Sequence, residues 1–245
     1  MTRLGRIASS ARAGWKGFVR RRTAVFFTFF FPAILIVIFG ALVGSQAGGL
    51  FGEDPVYYVP GYLATVVLFT PLSRVSSTVA RHREGSRFEK LATTPLAPAE
   101  WLAAETLVNA VLVAAASALV IALLAVLTSA DFVLAPALLI ALALGIVLFC
   151  GIGALLGSLA DSQDGAIAAS NGIGLPLLFL SDTFVPPDLL PAWFRPLIQL
   201  SPLTYFARAS RVALTDGSAD ANVAVLVVLA VVAFALGTYA LPWRR

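Results

Sequence analysis

The sequence predicts an all-α membrane protein: six transmembrane helices, an amino-terminal amphipathic interfacial helix, and a short re-entrant helical pair before the last span, with both termini cytoplasmic. Two observations predict this class. Hydrophobic residues make up 59% of the 245-residue chain and charged residues only 12%, with a mean hydropathy of +0.91, a balance far from that of a soluble domain of this size. The apolar residues also fall into runs of about 20 or more, the length a helix needs to cross a hydrocarbon layer of roughly 30 Å. The chain reads as a single transmembrane domain, 1–245, with a cytoplasmic interfacial helix (1–22), a cytoplasmic loop (81–100) and outer re-entrant or interfacial helices (185–217).

Taken in order, the first element is the surface helix. Leu4, Ile7, Ala8, Ala11, Trp15 and Phe18 recur at helical spacing with Arg and Lys on the other faces, the pattern of a helix lying in the membrane interface. A cleaved signal peptide is the alternative, given Ser45 and Ala47 after the apolar run, but that run is longer than the usual apolar core of such a segment. The spans are expected at Thr23 to Val43, Tyr57 to Val79, Ala103 to Thr128, Phe132 to Ala160, Gly165 to Phe184 and Val223 to Trp243. Only Ser129, Ala130 and Asp131 separate the third from the fourth, which suits a tight helical hairpin, and the fourth is long enough to tilt or protrude. Before the last span, Leu189, Leu190, Trp193, Phe194, Leu197 and Ile198 form one helical stripe interrupted by Pro191 and Pro196. The stripe is too short to cross and too apolar to be solvated, so it is expected to dip into the outer leaflet and return through a second helix, Thr204 to Leu214, ending at Asp216-Gly217. An ordinary surface loop with an apolar patch is the alternative.

Positive charge sets the orientation, because Lys and Arg are retained on the cytoplasmic side during insertion. Arg3, Arg6, Arg12, Lys16, Arg20, Arg21 and Arg22 precede the first span; Arg74, Arg81, Arg83, Arg87 and Lys90 mark the end of the second and its loop; Arg244 and Arg245 close the chain. The opposite side carries Arg195, Arg208 and Arg211, together with Glu53 and Asp54. The net charge of +4 is therefore a topology signal and not a nucleic-acid footprint.

Several chemistries are excluded. The single cysteine, Cys150, has no partner for a disulfide or a thiolate metal site. The one histidine, His82, stands in the charged loop, which excludes an intramembrane Ser/His dyad or a histidine metal site. No G-x-x-x-x-G-K-[ST] segment occurs, so the chain has no P-loop and any ATP belongs to another subunit. The central parts of the spans are expected to carry no ionisable group, unlike those of ion-coupled transporters. Asp161 and Asp164 fall in the turn between spans four and five, and Asp182 near the outer end of span five, where an interfacial place is expected over a coupling role. Asn109, Asn171 with Gly172 and Gly174, and the Gly153/Gly157 pair fit close helix packing. A span five kinked at Pro176 and carrying Asn171 also suits a cavity wall.

The main polar interruption of the apolar pattern is Arg81 to Leu96. Its charges cannot be buried in lipid, so a loop or short helix at the membrane face, available to a soluble partner, is expected. Within it, Arg83-Glu84-Gly85, Glu89, Leu91 and Thr94-Pro95-Leu96 look like the signature R-E-x-G-x-x-x-x-L-x-x-T-P-L. Phe26 to Phe31 with Pro32, Pro60-Gly61, Pro176, Phe179-Leu180-Ser181, Pro186, Leu190-Pro191, Trp193, Ser201-Pro202-Leu203-Thr204-Tyr205 and Arg211 complete the pattern. In these residues the chain resembles the membrane subunit of ATP-binding-cassette exporters of the type-2 permease family, over nearly its whole length. Asp182 departs from the pattern, standing where the family commonly has glycine.

The resemblance implies a non-catalytic permease in the cell (cytoplasmic) membrane that pairs with a second copy, homodimeric or heterodimeric, and docks a separate ABC-type ATP-binding subunit carrying ATP and Mg. It has no cofactor of its own. Arg83, Glu84, Gly85, Glu89, Leu91, Thr94, Pro95 and Leu96 would form the ATPase-coupling helix, with Glu84 and Glu89 offering carboxylates, Gly85 permitting a tight bend and Pro95 ending the segment. Asn171, Pro176, Ser181, Asp182 and Trp193 are the candidates for the translocation path and its outer gate, and the cargo implied is amphipathic or lipid-like: a drug, a lipid or a lipid-linked glycan. A polytopic membrane scaffold, or a membrane enzyme without ATP coupling, is the alternative. An enzyme would need a cluster of nucleophile, base or metal ligands at one depth, and the sequence offers none.

Overall fold

The computed structural model describes residues 2–23, 25–26, 28–30, 33–34, 37, 55–127, 135–184, 187 and 190–243. Among the described residues no strand occurs, and the helices are α1 (Arg3–Val19), α2 (Pro55–Glu84), α3 (Arg87–Ala92), α4 (Pro98–Leu127), α5 (Pro136–Leu159), α6 (Gln163–Phe179), α7 (Arg195–Ile198), α8 (Pro202–Thr215) and α9 (Ala221–Ala240). Local chemistry starts several of them. The Thr2, Ser162 and Asp220 side chains accept from the backbone N–H of Gly5, Gly165 and Asn222 (3.3, 3.0 and 3.2 Å), satisfying donors that have no partner inside the helix. Pro136 and Pro202 open α5 and α8, where a missing N–H costs nothing.

Among the described residues four helices are long and apolar enough to cross a membrane: Tyr57–Glu84, Pro98–Val126, Pro136–Leu159 and Ala221–Ala240. Most of the expected first span lies outside the described residues, as do the 129–131 turn, Glu53, Asp54, Pro186 and Leu189. The expected fifth span is a helix of 17 residues that stops at Phe179 instead of Phe184; at 1.5 Å per residue it is about 25 Å long. It stops because the chain is pulled aside: the Ser181 hydroxyl donates to the Leu178 carbonyl (2.6 Å) and Asp182 is drawn to Arg208 of α8. The expected stripe from 189 to 198 is not one helix. Only Arg195–Ile198 is helical, after turns at 192–194, since Pro191 and Pro196 each lack the N–H that a longer helix would use.

The core forms around α5, which packs on α2, α4, α6, α8 and α9. Glycine allows the closest approaches. A Cβ on Gly157 would overlap the Ser76 carbonyl of α2, and one on Gly151 the backbone of Ala233 in α9; without a hydrophobic drive between helices in lipid, such backbone proximity is a principal source of adhesion. Ser76 Oγ and Ser170 Oγ (2.6 Å) join α2 to α6 in the same layer. The outer face of α9, with Val228 and Val231, and that of α4, with Val111, are exposed apolar surfaces suited to lipid.

Contacts gather one set of segments at a single end of the bundle. Arg6 of α1 meets Glu100 at the start of α4, Phe88 of α3 packs on Trp243 beyond α9 (5.6 Å between rings), and Arg83 reaches the end of α5. This loop end therefore holds α1, the 81–100 segment, the α5–α6 turn and Trp243.

Candidate functional site

At the loop end α2 continues to Glu84, so Arg81 to Glu84 are its last turn and not a free loop. The chain reverses at Gly85-Ser86. The left-handed residue is Ser86 (φ 50°), not Gly85 as the sequence suggested; the turn places its strain on a serine, which adopts this region less readily than glycine. Helix α3 follows, fixed by Phe88, which is 2% exposed and stacks edge-on against Trp101 (5.2 Å) and close to His82 (5.4 Å). The hydroxyls of Thr93 and Thr94 donate to the carbonyls of Lys90 and Leu91 (2.8 and 2.6 Å), closing the helix before Pro95, and Thr94 Oγ1 also accepts from the N–H of buried Leu96 (3.4 Å). Glu89, Lys90, Thr94 and Pro95 are exposed, while Leu91 packs against the core.

Arg83 and Glu84 turn the other way. Arg83 donates to the Ser158 carbonyl in the last turn of α5, and Glu84 Oε1 accepts from the Gln163 N–H at the start of α6 (2.8 Å). A cation at a helix C-terminus and an anion at an N-terminus each complement the helix dipole. Together they clip the end of α2 to the α5–α6 turn.

Helix α1 lies on α4. Its Phe18 is buried with Val108 and Leu112, and Arg6 Nε donates to Glu100 Oε2 (2.8 Å). That hydrogen bond holds the Arg6 guanidinium protonated more firmly than usual. Glu100 also accepts from the Ala97 N–H (3.1 Å), the reach of a third-position glutamate back to the residue preceding its helix. Deeper in, Arg74 of α2 and Glu105 of α4 form a buried ion pair (2.8 Å), covered by α1 at Gly14, where a Cβ would lie 3.1 Å from Glu105 Oε1. Arg74, expected at the end of the second span, lies ten residues before the end of α2, because that helix runs on to Glu84. The pair is tolerated because the two charges neutralise each other inside protein.

A cleft of about 1360 Å³ opens between α1 with the residues just after it, α2 and α6. Asn171 lines it, together with Ile167 and Leu175 of α6 and Phe69, Ser73 and Ser77 of α2. At the opposite end of the bundle, buried Asp182 accepts from Arg208 Nε (2.6 Å), and its backbone carbonyl accepts from Arg211 Nη2 (3.0 Å). Arg211 also lies over the Tyr57 ring, 4.1 Å from its centroid. Trp193 is 69% exposed against Phe194.

Residues 6–215 match the ABC-2 type transporter family. The chain belongs to that family. A relative, Daunorubicin resistance ABC transporter permease protein DrrB1 of Streptomyces coeruleorubidus, is 26% identical over 185 residues, which are 74% of this chain and 64% of the relative. The chain thus spans less than two thirds of that relative's length.

Within this ABC-2 chain the residues singled out from the sequence separate into three places. Glu89, Thr94 and Pro95 lie on an exposed face of the 81–100 segment, whereas Arg83, Glu84, Leu91 and Leu96 hold that segment to the bundle. Asn171 and Pro176 are on α6, and Asn171 alone of the five path candidates lines the cleft. Ser181 and Asp182 are buried at the far end and Trp193 projects outward, so the five do not converge on one site. Sequence reasoning missed Phe88, Arg74, Glu105 and the Arg6–Glu100 pair. The available signals were an aromatic residue inside a charged segment and two acids, Glu100 and Glu105, at the head of an apolar run.

Proposed function

We propose that this chain is the permease subunit of an ATP-driven exporter, working as one of two copies beside separate ATP-binding subunits that hold ATP and Mg and perform the hydrolysis. The observation that carries this reading is α3: a short helix pinned by one buried ring, its charged side turned away from the bundle. Such a feature suits a docking knob, and its attachments suit force transmission. Movement of α3 would pass through Phe88 and Trp101 into α4, through Trp243 toward α9, and through Arg83 and Glu84 into α5 and α6. One external contact thus reaches four long helices.

In this reading the loop end is cytoplasmic with both termini, residues 23–43 and α6 supply the remaining two of six spans, α7 and α8 are the outer re-entrant pair, and the membrane is the cell membrane. Cargo passes between the two copies along α2 and α6, past Asn171 and Pro176, with Ser181, Asp182 and Trp193 at the outer gate. The cargo is amphipathic or lipid-like; the relative named for daunorubicin resistance supports export of such molecules.

Glu84 and Glu89 are both exposed, but Glu84 is engaged with the start of α6, which leaves Glu89 as the docking carboxylate. Glu89→Lys should therefore reduce the ATP-binding subunit recovered with a tagged chain by about tenfold, as like charges oppose at the interface, while membrane insertion is unchanged. Glu84→Gln should leave recovery intact and reduce cargo export per ATP. Equal recovery of the ATPase with Glu89→Lys would refute the docking assignment.

A further inference from the structure

Both walls of the cleft are helical stripes spaced four residues apart; the α2 stripe passes from apolar through hydroxyl to charged, and the α6 stripe alternates apolar and polar side chains. On α2 the series is Phe69, Ser73, Ser77, Arg81; on α6 it is Leu175, Asn171, Ile167, Gln163. Because α2 runs toward the loop end and α6 away from it, Arg81 and Gln163 lie together at the loop end and Phe69 and Leu175 lie deepest in the two series, with Ile167 and Asn171 between them on α6. Residues four apart share a helix face, so each series presents a continuous track to the cleft, about 18 Å long.

The mouth is strongly cationic. Arg20, Arg21, Arg22, Arg81 and Arg87 line it, and the acid among the lining residues is Glu105, already paired with Arg74. None of the five arginines forms an ion pair among the described residues. Arg81 Nη1 is buried without a hydrogen-bond partner there, and Arg87 Nη1 faces His82 Nε2 at 3.3 Å. Positive charge at a cytoplasmic face is general in membrane proteins, but these arginines line one recess whose interior is largely apolar, with Ser73, Ser77 and Asn171 among the side chains that face it. Guanidinium groups brought together repel one another unless an anion with several acceptor oxygens lies between them, and phosphate matches their planar forks.

We propose that this cleft takes up an anionic amphipath from the adjacent leaflet, its phosphate-class headgroup held by Arg81 and Arg87 with the arginines that follow α1, and its apolar chain laid along Phe69, Ile167 and Leu175. The inference rests on the permease reading and names the chemical class of its cargo. A cationic mouth opening on a largely apolar interior selects a molecule with the same two parts. A free phosphate would use only the mouth, and a neutral amphipath only the interior.

The test uses the full-length chain purified in a neutral detergent, with fluorescent phosphatidic acid, phosphatidylcholine of the same chains, and inorganic phosphate as probes. Phosphatidic acid should bind saturably and about tenfold tighter than phosphatidylcholine, the scale of charge-assisted hydrogen bonds gained. Arg81→Gln with Arg87→Gln should abolish that preference, and Arg81→Lys with Arg87→Lys should retain most of it. Equal binding of the two lipids, or a preference untouched by the glutamine pair, overturns the proposal. Displacement of the lipid by inorganic phosphate at equal concentration assigns the site to a free anion and overturns it also. Should the glutamine pair not elute as a folded species, Arg21→Gln with Arg22→Gln, outside the long helices, carries the same expectation. Binding requires neither nucleotide nor ATPase, so its failure leaves the recovery experiment with Glu89→Lys standing, and failure of that recovery leaves lipid binding standing.

Discussion

Gly157 shows how much one atom decides in this bundle. A methyl group there would overlap the Ser76 carbonyl, a backbone atom that can yield only by moving α2, whereas a methyl on Gly172 of α6 meets nothing within 4 Å. Gly157→Ala should lower stability by about 1–3 kcal/mol through overpacking, and Gly172→Ala should be neutral or slightly stabilising through helix propensity. Thermal unfolding of both variants in the same detergent gives the comparison. The two glycines look alike in sequence, each in an apolar run. The sequence marked both as packing positions, Gly157 by its spacing from Gly153 and Gly172 beside Asn171 and Gly174; the structure corrects this for Gly172, whose face is open, and nothing local told that the partner of Gly157 is α2.

The elements are joined by charges that the sequence placed correctly and paired not at all. Arg74 and Glu105 stand 31 positions apart and meet because α2 and α4 lie side by side beneath α1. With side-chain exposures of 13% and 5%, each charge has little water to fall back on when its partner is removed. Arg74→Met alone should cost about 3–5 kcal/mol, while Arg74→Met with Glu105→Leu should recover much of that loss, since a buried pair replaced by apolar groups is often close to neutral. A double-mutant cycle on unfolding free energy measures the coupling, and a double variant as unstable as the single one would mean that the pair's geometry, not its charge, is what matters. The Arg83–Ser158 and Glu84–Gln163 contacts make the same point: the signature residues were found by their pattern, but their contacts depend on the ends of α5 and α6 arriving beside them.

At the scale of the whole molecule, the arrangement of ends is the feature to test. Cys150 is the single cysteine of the sequence and is fully buried, so the native chain should not react with a membrane-impermeant maleimide. Exposed Ser86 lies at the loop end and exposed Ser218 between α8 and α9 at the other. In intact cells Ser218→Cys should label from outside and Ser86→Cys only after the membrane is opened; the reverse pattern would invert the proposed orientation.

What the sequence determined by itself was local and periodic: helices where apolar residues recur, their approximate limits, the amphipathic helix α1, and a charged segment at 81–100 that lipid cannot accept. The family resemblance rested on the same short-range order. Periodicity is a property of neighbours in the chain, so it survives without knowledge of the fold. Tertiary structure decided the rest. It shortened the fifth expected span, because Asp182 is drawn to Arg208 on another helix; it put Ser86 in the left-handed turn; it engaged Arg83 and Glu84 with the α5–α6 turn; and it brought the polar ends of two separate stripes to one cationic mouth. Each of these depends on which helices lie together, and that is fixed by close packing of small residues and pairing of buried charges across long separations, where spacing along the chain carries no information about distance in space.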